Sequence, residues 1–159
     1  NEVNIRIFCY EPENEMVVRH FVNQLETDQS LNCHLIVCNL YKTFLSICDD
    51  MDITDVIPDM EEADGSDYLL EQLNSAIGNR EFIDKIQYEP HEPGDVLMLT
   101  GVGEVFPFMR IHTLLEALQP YFSDVPILVM YPGEFDGRHV KLFNRLTPND
   151  YYRAFNVID

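Results

Sequence analysis

Basic residues are scarce in this chain. Its 159 residues include 28 acids but only 10 lysines and arginines, which gives a formal net charge of −18 at pH 7. A surface this acidic repels a phosphate backbone, so direct binding to nucleic acid is not expected, whereas basic protein partners are favoured. Long apolar runs are missing too. None approaches the ~18 residues of a membrane span, and no basic-then-apolar signal segment opens the chain. We therefore expect a cytoplasmic protein without membrane partners.

Common catalytic and cofactor motifs are also absent. No Gly-Lys pair exists, which excludes a P-loop, and no Gly-x-Ser-x-Gly elbow exists, which excludes a nucleophile of that type. The five histidines lack the i, i+4 spacing of a zinc-binding helix. Of these, His91 follows a proline and is expected to be a solvated loop residue. The sequence predicts no enzyme, no metal site and no cofactor.

Cysteines number only four, and none forms a Cys-x-x-Cys pair. At least two of them, Cys9 and Cys38, lie in strand-like apolar runs. Thiols of this kind in a chain without a signal segment are typical of reduced core residues in a cytosol.

What the sequence does contain is an alternation of short apolar runs with amphipathic segments. The predicted strands cover residues 5–10, 34–39, 96–100 and 126–131. The predicted helices cover residues 15–27, 42–48, both sides of Gly65, 82–86 and 107–122. This alternation predicts one α/β domain over residues 1–159, with a mostly parallel sheet of four to five strands and helices on both faces. The expected topology is Rossmann-like or P-loop-like without a P-loop, and a final pair of elements is expected at 140–146 and 151–158.

The stretch 97–119 is the strongest candidate for a binding site. A buried strand leads into a turn at Gly101 and Gly103, and Pro107 stands where a helix would begin, because its fixed φ suits a first helical turn. Strand, turn and helix are the parts from which α/β proteins build sites at the carboxyl ends of parallel strands. A dinucleotide fingerprint would need a third glycine where Phe106 stands. The two glycines therefore indicate either a tight structural turn or a contact with a ligand or partner.

Charged residues near these turns are further candidate contacts. Arg110 and His112 follow the glycine turn, two positions apart on a predicted helix, so that one could reach the crevice while the other packs. Asp136 follows the fourth strand together with Glu134, where paired carboxylates can bind metal or act as acid and base. Turns also favour aspartate for local reasons, and single charged residues are usually structural.

Acids are concentrated between residues 49 and 71, where ten occur without a single base. Such a run is usually a solvated face, and the functional alternative is a docking surface for a basic partner. The candidate docking acids are Asp59, Glu61, Glu62 and Asp64.

Several short motifs occur together in the second half of the chain. They are Leu99-Thr-Gly-Val-Gly103, Pro107-Phe-Met-Arg-Ile-His112, Tyr131-Pro-Gly133 with Asp136-Gly137, Leu142-Phe143 and Tyr151-Tyr-Arg-Ala-Phe155. In this order and spacing they resemble the BrxB family, the small B component of the bacterial BREX phage-exclusion systems. The resemblance covers residues 95–159, whereas residues 1–94 match only in the pattern of their elements.

The resemblance implies a member of a multi-gene defence locus that also encodes an adenine-specific DNA methyltransferase, a large ATPase and an alkaline-phosphatase-like protein. No enzymatic activity is generally assigned to the B component. The shared motif residues Arg110, His112, Asp136 and Arg153 would then maintain the fold or a docking surface.

Three functions follow from the residues and the resemblance together. The first is a non-catalytic scaffold or adaptor that binds the phosphatase-like or the ATPase component of a BREX complex. The second is a nucleotide-sensing or hydrolytic domain that uses the crevice after the third and fourth strands. The third is an acidic DNA mimic.

Overall fold

Four parallel strands form the centre of the molecule. The computed structural model describes residues 4–133. The strands are β1 (Ile5–Tyr10), β2 (His34–Asn39), β3 (Asp95–Thr100) and β4 (Ile127–Pro132). They pair in the order β1-β4-β3-β2, and every pair is parallel. The predicted α/β class and parallel sheet are confirmed, with strand bounds that differ from the predicted ones by at most one residue.

The α-helices connect these strands. Within residues 4–133 they are α1 (Glu15–Thr27), α2 (Leu40–Asp50), α3 (Ile57–Asp64), α4 (Ser66–Ala76), α5 (Asn79–Ile86), α6 (Val102–Val105) and α7 (Ile111–Leu118). The predicted bounds of α1 are confirmed, and Gly65, with φ of +90°, separates α3 from α4 as expected. In this part of the chain no helix has both the length and the apolar character that a bilayer span requires.

The strand order decides on which face of the sheet each helix lies. The connection from β1 to β2 crosses the sheet in one direction, and the next two connections return in the other. Right-handed crossovers therefore place α1 on one face and the remaining helices on the opposite face. The packing agrees, because Val18 and Val22 of α1 form a small cluster with Met98 and Met130. The buried apolar residues of α2 and of α4 to α7 belong to a separate and larger cluster.

The helix after β3 begins later than the sequence predicted. The chain makes the single turn of α6, and a cis peptide bond joins Phe106 to Pro107. Residues 106–110 lie between α6 and α7, so Pro107 does not begin a helix. Phe108 stacks on Phe44 of α2, with ring centroids 4.4 Å apart. This contact with another element holds the connection out of helical geometry, and α7 starts only at Ile111.

The expected fifth strand and the final pair of elements at 140–146 and 151–158 lie outside the described residues. That residues 1–159 form a single domain stays a prediction for the same reason.

A buried carboxylate joins β2 to β3 at the amino edge of the sheet. Asp95 is only 3% exposed. It accepts hydrogen bonds from the Glu92 backbone N–H at 3.0 Å and from the Tyr88 hydroxyl at 2.7 Å, and His34 Nδ1 lies 2.9 Å from its Oδ1. The Glu92 amide above all, with the Tyr88 hydroxyl, lowers the pKa of Asp95 to about 2, because these donors favour the ionised carboxylate.

The prediction that His91 is a solvated loop residue is wrong. Its side chain is only 16% exposed, and its Nδ1 lies 2.7 Å from Asp124 Oδ1. The imidazole ring also stacks on Phe122, with centroids 5.3 Å apart. The prolines around His91 indicated a loop correctly, but this loop packs against the segment that precedes β4.

Replacing Asp95 with asparagine tests the importance of the buried carboxylate. Because the folded-state pKa is lowered, ionised Asp95 contributes stability that is present above the unfolded-state pKa of ~3.9 and is lost as the pH falls toward about 2. We expect Asp95→Asn to be less stable than the wild type at neutral pH and to lose less stability on acidification. Urea unfolding across that pH range measures both effects.

The matched control is Glu92→Gln, which neutralises an exposed carboxylate and leaves the backbone donor in place. Its pH dependence should follow that of the wild type. Equal pH dependence for wild type and Asp95→Asn would contradict the stabilising role of the Asp95 charge.

Candidate functional site

A crevice of about 740 Å³ opens at the carboxyl end of the sheet and continues along β2. Its walls are formed by α1 on one side and by α2 and α5 on the other, and the turn after β3 closes one end. Among the candidate residues of the sequence, Gly101 lines this crevice, whereas Gly103, Arg110 and His112 do not. The turn after β3 is therefore correctly placed as part of the crevice, but only through one of its glycines.

Gly101 is the point at which the ends of β2 and β3 meet. Its φ is +71°, a conformation that side chains disfavour. A Cβ at this position would lie 2.5 Å from Asn39 Oδ1 and 3.1 Å from the Tyr41 amide nitrogen. That same Asn39 oxygen accepts the Lys42 N–H at 3.0 Å and caps α2. Both the backbone angle and the space therefore require glycine here.

Gly103, unlike Gly101, does not have a positive φ. A Cβ there would lie 3.1 Å from Pro132 Cγ, so the turn packs closely against the end of β4. Glycine is favoured at this position by the close packing and not by the backbone angle.

A chain of hydrogen bonds and ion pairs crosses the crevice between α1 and α6. The Tyr10 hydroxyl donates to Glu15 at 2.6 Å, and Arg19 bonds both Glu15 at 2.8 Å and Glu104 at 2.7 Å. Burial first, and then the bond to Glu15, raise the pKa of Tyr10. Because two carboxylates surround Arg19, its positive charge is already neutralised and is poorly suited to bind a phosphate.

Metal ligation and the Cys38 thiol are two further aspects of the chemistry of the crevice. Within the described part of the chain, no group of histidine, cysteine or acidic side chains is arranged to hold a metal ion. The Cys38 thiol contacts Thr43 Oγ1 at 3.4 Å, and burial raises its pKa, which keeps it in the weakly nucleophilic thiol form.

Arg110, at the end of the connection to α7, and His112, in the first turn of α7, do not line the crevice. Arg110 precedes the helix, is exposed, and places its Cζ 5.8 Å from the centroid of the Phe106 ring. His112 is half-buried in the first turn of α7. The expectation that one of them reaches the crevice is therefore not met. The candidates Asp136 and Arg153, with Glu134, lie outside the described residues.

The candidate docking acids all belong to α3. Asp59, Glu61, Glu62 and Asp64 are all exposed, while Ile57 and Met60 of the same helix pack against the large core cluster. Glu61 accepts a hydrogen bond from Ser66 at 2.9 Å. Among the ion pairs of residues 4–133, none includes any of the four acids. This group of four is called the α3 acidic face below.

Comparison with known proteins identifies the family. The family model described as "BREX protein BrxB" matches residues 36–157. The chain belongs to the BrxB family. A BREX protein BrxB from Bacillus cereus (strain H3081.97) is 35% identical, in an alignment that covers 100% of this chain and 85% of that relative. A BREX protein BrxB from Escherichia coli O9:H4 (strain HS) is 26% identical over 99% of this chain and 80% of its own length.

These matches confirm the resemblance and extend it well before residue 95, where the sequence motifs had shown only a pattern of elements. No solved structure matches this chain.

Substitution of Gly101 tests the junction between β2 and β3. Gly94 also has a positive φ, of +91°, but open space surrounds it, so Gly94→Ala isolates backbone strain, expected at about 1 kcal/mol. Gly101→Ala adds the collision with Asn39 and should cost about 2–4 kcal/mol in the free energy of urea unfolding. Adding Asn39→Ala to Gly101→Ala should relieve part of that cost, so the two changes should be non-additive. Equal costs for Gly94→Ala and Gly101→Ala would show that the contact is unimportant.

Proposed function

We propose that this protein is a non-catalytic scaffold or adaptor of a BREX phage-defence complex in the cytoplasm. In this proposal the α3 acidic face binds a basic surface of another BREX protein, either the phosphatase-like or the ATPase component. The observation that carries the proposal is that four carboxylates of one short helix are exposed and have no cationic partner among the described residues. Family membership supports a role within a BREX system.

Electrostatics explain why such a face would serve binding rather than folding. Exposed acids contribute little to stability and repel one another when no base lies between them. A complementary basic surface on a partner removes this repulsion, raises the association rate and discriminates against acidic partners. The core contacts of Ile57 and Met60 hold the face in place on the body of the protein.

The chemistry of the crevice supports a role other than catalysis. The Arg19 charge is held by two carboxylates, and the Cys38 thiol has a raised pKa. The turn from β1 to α1 presents Glu11, Pro12 and Glu13 instead of glycines, so carboxylates stand where a nucleotide-binding protein of this class would hold phosphate. These features weigh against the nucleotide-sensing or hydrolytic alternative.

Neutralising the α3 acidic face tests the proposal directly. We expect the variant Asp59→Asn/Glu61→Gln/Glu62→Gln/Asp64→Asn to bind its BREX partner about tenfold or more weakly at low salt, because complementary charges that favour association are lost. Its melting temperature should remain near that of the wild type or rise slightly. The measurement is the affinity for the purified phosphatase-like and ATPase components at two salt concentrations.

The matched control changes the net charge by the same amount at exposed acids elsewhere. Glu13, Glu89, Glu92 and Glu116 are all exposed and lie outside α3. Their replacement by glutamine should leave affinity and its salt dependence much closer to the wild-type values. If both fourfold variants bind alike, net charge rather than the α3 acidic face determines association.

DNA provides a second test of the electrostatic interpretation. With a net charge of −18, the protein should not bind duplex DNA at physiological salt, where non-specific DNA-binding proteins show Kd values of ~10⁻⁴–10⁻⁶ M. Fluorescence anisotropy with labelled duplex measures this binding, and micromolar affinity would contradict the prediction.

The DNA-mimic alternative predicts, in addition, that duplex DNA competes with this protein for its partner. An affinity that is independent of added DNA would argue against mimicry.

A further inference from the structure

Among residues 4–133, no hydrogen-bond partner is found for the backbone groups at the outer edge of β2. β2 pairs only with β3 in the described sheet, and the His34 N–H donates to the Gly94 carbonyl on that side. In a parallel strand, alternate residues direct their N–H and C=O groups to opposite sides, so Leu35 and Val37 direct theirs outward. No described residue supplies a hydrogen bond to these groups. Leu35 and Val37 thus offer two donors and two acceptors to an additional strand.

The devices by which proteins usually protect a sheet edge are missing from β2. Edge strands are commonly blocked by lysine, proline, a bulge or extreme shortness. β2 has six residues, and it pairs with β3 in continuous register without a bulge. Between His34 and Asn39 its residues are Leu, Ile, Val and Cys, all of them only half-buried.

The crevice gives this edge the shape of a groove. Val22 and Asn23 of α1 line one wall, Ser46 of α2 and Lys85 of α5 line the other, and β2 itself lies between them. A single extended chain fits between such walls, with its side chains directed alternately to α1 and to α2. A second copy of this protein would bring its own walls and its own negative charge, so the geometry favours an isolated extended segment over self-association.

The charges of the groove specify the chemistry of that segment. Arg19 is bound by Glu15 and Glu104, and Lys85 is bound by Asp50. Lys42, which also lines the crevice, is exposed, and no carboxylate in the described part of the chain pairs with it. Glu26, near the end of α1, also lines the crevice, is exposed and has no paired base among the described residues. Lys42, at the start of α2 beside the carboxyl end of β2, therefore favours an acidic residue at that end of the occupant.

We propose that the outer edge of β2 binds an extended segment of a partner protein by strand addition. The backbone of that segment pairs with Leu35 and Val37, its alternating apolar side chains occupy the groove, and an acidic residue meets Lys42. This surface is distinct from the α3 acidic face, which favours a basic partner, so either surface can fail without the other.

The probes are peptides selected from a displayed library of short random sequences, with the full chain as the target. The expected binders are extended sequences with apolar residues at alternating positions and an acidic residue near one end. The strongest are then synthesised, and their affinities are measured for the wild type and for variants. Val37→Pro removes an outward N–H that makes no bond within the sheet, a position at which proline is tolerated on an edge strand. Val37→Thr keeps that N–H and the branched shape, and is the matched control.

We expect Val37→Pro to weaken peptide binding about tenfold or more, and Val37→Thr to change it little. Lys42→Glu should weaken binding clearly more than Lys42→Gln, while the fourfold variant of the α3 acidic face should bind the peptides as the wild type does. Peptides methylated at alternate backbone nitrogens, measured against the wild-type protein, test the same hydrogen bonds even if Val37→Pro fails to fold. A selection without binders, or binders indifferent to both Val37→Pro and backbone methylation, would overturn the proposal.

Discussion

The pairing of β1 with β4, instead of with β2, is the constraint from which most of the architecture follows. It sends the first crossover over the whole width of the sheet and makes the later ones return. Because crossovers are right-handed, α1 is left as the helix of one face in the described region, while α2 to α7 accumulate on the other. The same pairing leaves β2 at an edge of the described sheet, beside β3. Both the crevice and the open strand edge therefore follow from this one pairing of strands.

Local periodicity was enough to predict the strands and α1, because apolar spacing alone fixes which face of each element is buried. It was not enough for the segment after β3. Positions 111, 115 and 118 do lie on one helical face, but the stacking of Phe108 on Phe44 holds the preceding residues out of the helix, and that contact joins distant parts of the chain. The ion pairs of Arg19 show the same division. Its bond to Glu15 has the helical i, i+4 spacing that a sequence displays, whereas its bond to Glu104 depends on how α6 meets α1.

The residues of the candidate site show the same division between what local spacing predicts and what contacts between distant segments decide. Gly101 could be placed in the crevice from its position after a strand, and its need to be glycine is explained by Asn39, a residue that only strand pairing brings near. The sequence allowed one of Arg110 and His112 to reach the crevice from a helix beginning at Pro107, whereas the helix begins only at Ile111. The open edge of β2 could not have been predicted, since it depends on strand order and not on any motif. An acidic helix and an apolar strand edge with a free lysine are chemically opposite surfaces, as a protein that bridges two unlike partners would need.

The edge of β2 that residues 4–133 leave open also has a consequence for the behaviour of the protein in solution. In most proteins, features of the edge strand itself prevent the sheets of two molecules from pairing. Here the net charge of −18 makes whole molecules repel one another. Such repulsion acts over the Debye length, about 10 Å at 0.1 M ionic strength and about 3 Å at 1 M. Concentrated salt therefore weakens this repulsion, and the walls that α1, α2 and α5 raise beside β2 are then what still keeps two such edges apart.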